Sequence, residues 1–174
     1  MTTNALVTVS CADKVGLVAA ITGYLFDVGG NLGDTSFSVL GGAAEFTAVV
    51  ECPEGTDLAT VEQGLKALPE LETASVAVVP FKLTTIHAAD ARATHRLTVS
   101  GGDRPGLVAR LSEVFVQFDT NIVRLVAERL SGAAGIQYVV VMDLHIPEPK
   151  VRTCLATVVN TAGGLGLTCH SEEA

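Results

Sequence analysis

One short motif occurs twice in this chain, and that repetition limits its folds more than any other feature. Ala12-Asp13-Lys14-Val15-Gly16-Leu17-Val18-Ala19 returns ninety positions later as Gly102-Asp103-Arg104-Pro105-Gly106-Leu107-Val108-Ala109. The same offset carries Thr8-Val9-Ser10 onto Thr98-Val99-Ser100, Asn31 onto Asn121, and Gly42-Ala43-Ala44 onto Gly132-Ala133-Ala134. A shared register of this kind predicts one module written twice, with no insertion between the matched segments. A module of roughly 85 residues buries little core by itself. The two copies are therefore expected to pack on each other or on a second chain.

Each copy reads as strand, helix, strand, strand, helix, strand. In the first, Leu6, Val7 and Val9 predict a strand over 5–10. Leu17, Ile21, Tyr24, Leu25 and Val28 then fall on one helical face, and Gly29-Gly30 ends the helix. Alternation of Thr35, Phe37 and Val39 with Ser36 and Ser38 predicts a half-buried strand. Gly41-Gly42 makes a hairpin turn to a partner strand over 45–51. A second helix is expected over 57–68, stopped by Pro69, with a last strand over 73–79.

The second copy repeats the order. A strand over 96–100 is followed by a helix face of Leu107, Leu111, Val114, Phe115 and Phe118. Strands over 122–130 and 136–144 are expected to form a hairpin around Ser131-Gly132. A helix over 151–161 ends at Gly163-Gly164, a strand follows over 165–170, and the tail 171–174 is expected to fray. The fold class is thus α+β, two ferredoxin-like βαββαβ modules with antiparallel sheets and the helices on one face. Domains are placed at 1–81 and 95–174, with an Ala- and Thr-rich linker over 82–94.

Composition excludes several functions. Charged residues make up 17% of the chain, against an average near 25%, and the formal net charge is −8. An acidic chain lacks the cationic surface on which direct nucleic-acid binding depends. Cys11, Cys52, Cys154 and Cys169 form no C-x-x-C pair, and the four His (87, 95, 145 and 170) fall in no zinc spacing. No metal or cofactor is expected, and the thiols are expected to be reduced in the cytoplasm. The N-terminus has no signal-peptide pattern and no apolar run reaches the ~18 residues of a membrane span, so no membrane association is expected. No nucleophile elbow or phosphate loop is present, and the chain is not expected to be an enzyme. Cys11 precedes the first helix, where a thiol pKa can fall, but its counterpart is Gly101.

The repeated turn carries the candidate chemistry. A helix N-terminus offers free N–H groups and partial positive charge, which suit a carboxylate. Asp13 or Asp103 beside it suits an ammonium group; each could equally cap its helix. Gly16 and Gly106 leave room for a ligand or for neighbouring backbone. Asn31 and Asn121 offer an amide each, or simply hold a turn.

Asp103-Arg104-Pro105-Gly106-Leu107-Val108, with Asn121-Ile122 fifteen positions beyond the glycine, resembles the signature of the ACT domain. Asp13-Lys14-Val15-Gly16-Leu17-Val18 with Asn31-Leu32 is the same motif with Val for Pro. The resemblance spans nearly the whole chain as two ACT modules in tandem. Gly29-Gly30-Asn31-Leu32-Gly33-Asp34-Thr35-Ser36 followed by Glu45-Phe46-Thr47 is similar to the glycine cleavage system transcriptional repressor group. The resemblance implies a regulatory protein that binds glycine or another amino acid where modules meet. Its ligand-binding positions are then Asp13, Lys14, Gly16, Leu17 and Asn31, with Asp103, Arg104, Gly106, Leu107 and Asn121. Control of a partner protein, in transcription regulation, and a homodimer joined at sheet edges are the further implications. The alternative is a pairing module, or the regulatory subunit of a metabolic enzyme, with no ligand of its own.

Overall fold

The computed structural model describes residues 2–132 and 135–174. The chain divides into two compact units after Thr84. The first contains β1 (Thr3–Ala12), α1 (Leu17–Asp27), β2 (Asn31–Leu40), β3 (Ala43–Cys52), α2 (Leu58–Lys66) and β4 (Ser75–Pro80). The second contains β5 (His95–Gly102), α3 (Leu107–Gln117), β6 (Asn121–Gly132), β7 (Gly135–His145), α4 (Val151–Gly164) and β8 (Thr168–Glu173). Each sheet is antiparallel, in the orders β2-β3-β1-β4 and β6-β7-β5-β8. Both are the ferredoxin-like plan.

The pleat decides where each core forms. In β1, Ala5, Val7 and Val9 are buried while the residues between them are only partly covered. They pack with Leu17, Ile21 and Leu25 of α1, Val61 and Leu65 of α2, and Phe46, Ala48 and Val50 of β3. The second unit repeats this with Leu97, Val99, Leu111, Phe115, Met142, Cys154 and Val158. Each fully buried Leu or Phe contributes about 1.5–3 kcal/mol relative to exposure.

Asp57 caps α2, accepting hydrogen bonds from Ala59 N at 3.1 Å and Thr60 Oγ1 at 2.7 Å. The Thr60 hydroxyl and then the Ala59 N–H hold its carboxyl below the usual carboxylate range.

Several sequence expectations need correction. The register of ninety does not run without an insertion. It relates Val9 to Val99, but Val9 pairs with Phe46 and Val99 with Val140, so the offset has grown to ninety-four in β7. The β6–β7 hairpin is longer, and Ser131 and Gly132 pair with Ile136 and Gly135 as strand residues instead of forming the turn. Ala133 and Ala134, matched to Ala43 and Ala44 by sequence, lie outside the described residues.

β2 is not half-buried: Phe37, Val39 and Leu40 are 42%, 46% and 61% exposed on this edge strand, whereas Val76 and Val78 of the opposite edge strand, against which α2 packs, are buried. Gly163 and Gly164 are the last residues of α4, with Leu165 as its C-cap, and it is Gly166 that takes positive φ, at +72°. The tail is not frayed. Ser171, Glu172 and Glu173 pair with Leu97, Arg96 and His95, and Ala174 N donates to Thr94 O at 2.9 Å.

Residues of the expected linker are tied to the second unit. Asn121 Nδ2 donates to Asp90 O at 2.9 Å, and His145 Nδ1 donates to Arg92 O at 2.9 Å. Thr94 N donates to Leu144 O at 2.8 Å, while Thr94 Oγ1 accepts from Ile146 N at 3.0 Å.

Candidate functional site

The strand–helix turns are built by glycine, not by aspartate. Gly16 (φ +97°) and Gly106 (φ +83°) occupy the N-cap positions of α1 and α3 in the left-handed region. Asp13 and Asp103 therefore stand three residues too early to cap, correcting that expectation. No side chain caps either helix, and neither first turn contains an acid. The first-turn amides of a helix have no intrahelical partner, so these ends keep donors and partial positive charge, although at α3 Leu107 N donates to Arg104 O at 3.3 Å. A Cβ built at Gly16 or Gly106 meets nothing within 4 Å; the space beside each glycine is open.

In the first unit Asp13, Lys14, Gly16 and Leu17 line an open hollow of about 320 Å³, whose outer wall is Phe37 of β2. The turn is pinned by Asp13 N donating to Gly42 O at 2.9 Å. Among the described residues the Asp13 carboxylate has no ion-pair partner. In the second unit Asp103, Arg104, Gly106 and Leu107 line a hollow of about 260 Å³, closed by Arg129 and Tyr138. Here Asp103 Oδ2 is 3.0 Å from Arg129 Nη2. Arg129 and Tyr138 escape a reading of the turn motif, because only hairpin register brings them to it.

Asn31 and Asn121 lie elsewhere. Asn31 shares a row of the sheet with Glu51 and Asn4, whereas the turn follows Ala12 at the other end of β1. At ~3.3 Å per residue that separates them by about 25 Å. Asn121 likewise pairs with His145, one residue beyond the row of Leu144 and His95, and its amide is bonded to Asp90. Within one unit, neither asparagine reaches its turn.

Cys11 does not carry a lowered pKa: burial pushes the thiol up and outweighs the Lys14 ammonium, with Asp13 and Glu45 adding to the rise. Its counterpart Gly101 has φ +155°, and a Cβ there would stand 2.5 Å from Leu167 Cδ2, which would have to move aside. Ser10 Oγ donates to Glu45 Oε1 at 2.6 Å, and Ser100 shares a hydrogen bond with Thr168, so neither serine is paired with a histidine. Among the described residues no cluster of three or more His, Cys, Asp or Glu could hold a metal ion. No helix among them is long and apolar enough to cross a membrane.

Comparison with known proteins agrees with this architecture. Residues 3–78 match the ACT domain family model. No curated protein matches the sequence. Among solved structures, an unknown protein from Galdieria sulphuraria superposes with a TM-score of 0.78 at 21% identity, covering 100% of this chain and 99% of that one. A candidate glycine cleavage system transcriptional repressor superposes with a TM-score of 0.70 at 13% identity, covering 100% and 98%. At these identities the likeness is one of fold. ACT domains are small-molecule-binding regulatory modules. Residues 3–78 thus match an ACT domain, and the two units together have the tandem fold of these structures.

Proposed function

We propose that this chain is a regulatory amino-acid sensor that holds its ligand at the strand–helix turn and controls a partner protein. The observation that carries the reading is the uncapped N-terminus of α1 beside the unpaired carboxylate of Asp13, across an open hollow. The helix end suits a carboxylate and Asp13 suits an ammonium, the two charges that every free amino acid bears. Asp13, Lys14, Gly16 and Leu17 are the contacting positions on this reading, with Asp103, Arg104, Gly106 and Leu107 as the second set.

Asn31 and Asn121 can serve such a ligand only from another module, because each lies a strand's length from its own turn. That requirement favours a homodimer. The similarity in fold to a candidate glycine cleavage system repressor supports regulation as the output and transcription as one setting for it. The acidic net charge of −8 argues for a protein target in place of direct nucleic-acid contact. Cytoplasmic residence fits the four free thiols.

Thermal denaturation against each of the twenty amino acids tests this. A ligand at a hundredfold excess over its Kd adds about 2.7 kcal/mol. At least one amino acid should raise the melting temperature, and Asp13→Ala should reduce the rise. A flat response to all twenty overturns the sensor and leaves a pairing module. That second reading draws on the exposed Phe37, Val39 and Leu40 along edge strand β2.

A further inference from the structure

The two turns share a sequence motif but not a chemical environment. Val39 and Arg129 are equivalent both by the offset of ninety and by register: Val39 pairs with Ala44, which pairs with Cys11, while Arg129 pairs with Tyr138, which pairs with Gly101. By the same rows Phe37 corresponds to Ala127. The first turn therefore faces Phe37, 42% exposed, and among the described residues Asp13 has no ion-pair partner. The second faces a guanidinium already joined to Asp103 at 3.0 Å.

We propose that Arg129 makes the turns unequal, standing where a ligand ammonium would go in the second unit and so directing amino acids with aliphatic side chains to the first. This rests on the sensor reading above. Two independent features carry it. The Asp103 carboxylate that would hold an ammonium already has a cation, and an incoming ammonium meets a like charge there. An aliphatic side chain also meets Phe37 of the edge strand at the first turn, where the hollow of the second has the charged Arg129 beside Tyr138. Arg129 is thus a specificity-determining residue, and the second turn is filled by the chain's own cation.

The test is a titration of the ¹⁵N-labelled full chain with L-leucine, following the amides of residues 17–19 and 107–109 separately. The pair is solvent-exposed, so the expected effect is modest: Kd at the first turn about fivefold tighter than at the second. Arg129→Val should bring the second turn to within about twofold of the first, and Val39→Arg should weaken the first by about fivefold. Both side chains are exposed, and the amide spectrum of each variant reports whether it is folded. Equal affinities in the wild type, or a second turn unchanged by Arg129→Val while the first responds, overturn this inference and leave the sensor standing. Silence towards L-leucine at both turns, with another amino acid binding the two equally, does the same. Silence at both turns towards all twenty amino acids overturns the sensor reading itself, and this inference with it.

Discussion

Gly30 donates its backbone N–H to the Leu25 carbonyl at 2.8 Å, and a side chain at Gly30 would begin 2.8 Å from that same oxygen. Its Cβ would also stand 2.9 Å from Val50 Cγ1. The bond closes the end of α1 and aims the chain into β2, so the helix end and the β3 core meet at one atom. Thr120 makes the equivalent bond to Phe115 O at 2.9 Å in the second unit with a full side chain in place. There Leu144, which is not branched at Cβ, occupies the row held by Val50.

Gly30→Ala should therefore destabilise the first unit by about 1–3 kcal/mol, since backbone and a branched core side chain must both move. For a unit of this size that is roughly 4–8 °C in melting temperature for each kcal/mol. Calorimetry on the full chain measures it; an unshifted first-unit transition would contradict the close packing described here.

Gly16 and Gly106 are required for backbone conformation alone, because the space beside each is open. Gly16→Ala and Gly106→Ala should each cost about 1–2 kcal/mol, the penalty of the left-handed region for an L-residue. Asparagine, which tolerates that region, should cost less at either place. Urea denaturation of the four variants gives the ranking, and alanine matching glycine would refute the strained-turn account.

Arg96 Nε donates to Asp143 Oδ1 at 2.7 Å across β5 and β7. That hydrogen bond, ahead of the guanidinium's charge, holds the Asp143 carboxyl below its ordinary 3.8. A depressed carboxyl stabilises the fold above its unfolded-state pKa, and the contribution disappears as pH falls through the folded value. Asp143→Asn should thus lower stability at neutral pH by less than about 1 kcal/mol, as Arg96 is half exposed. The wild-type and variant curves should converge once pH falls below both the unfolded-state and the folded-state value. Denaturant melts across this range decide the matter; a gap that persists in acid would assign the loss to something other than the ion pair.

Cys52 and Cys154 are buried, 2% and 0% exposed, whereas Cys11 and Cys169 are partly accessible. Burial raises all four thiols. A disulfide reagent on the native protein should label Cys11 and Cys169 more slowly than free cysteine, and Cys52 and Cys154 only on unfolding. Mass mapping of the labelled sites provides the check, and rapid labelling of Cys11 would revive it as a reactive thiol.

Much of the fold was legible because its signals are local. Leu17, Ile21 and Leu25 fall on one face by helical spacing alone, and Ala5, Val7 and Val9 by strand alternation. The start of α1 was misjudged because Asp13 has a capping side chain, while Gly16 sets the helix start through φ, which carries no side-chain signature beyond the repeated glycine itself. At the end of α4 the conformation, not the position, escapes the local signal. Gly163 and Gly164 were compatible with a stop, but the positive φ fell on Gly166.

The amino-acid sequence by itself determined that there are two modules, through the repeat, and the order of their strands and helices, since those signals depend on neighbours within a few residues. Tertiary pairing alone decided that β2 lies at an edge with Phe37 exposed, that the tail is held by β5, and that the β6–β7 hairpin is the longer one. It also brought Arg129 to Asp103 and kept Asn31 from its own turn. Strand register fixes both, and register is set by the whole sheet rather than by any stretch of chain.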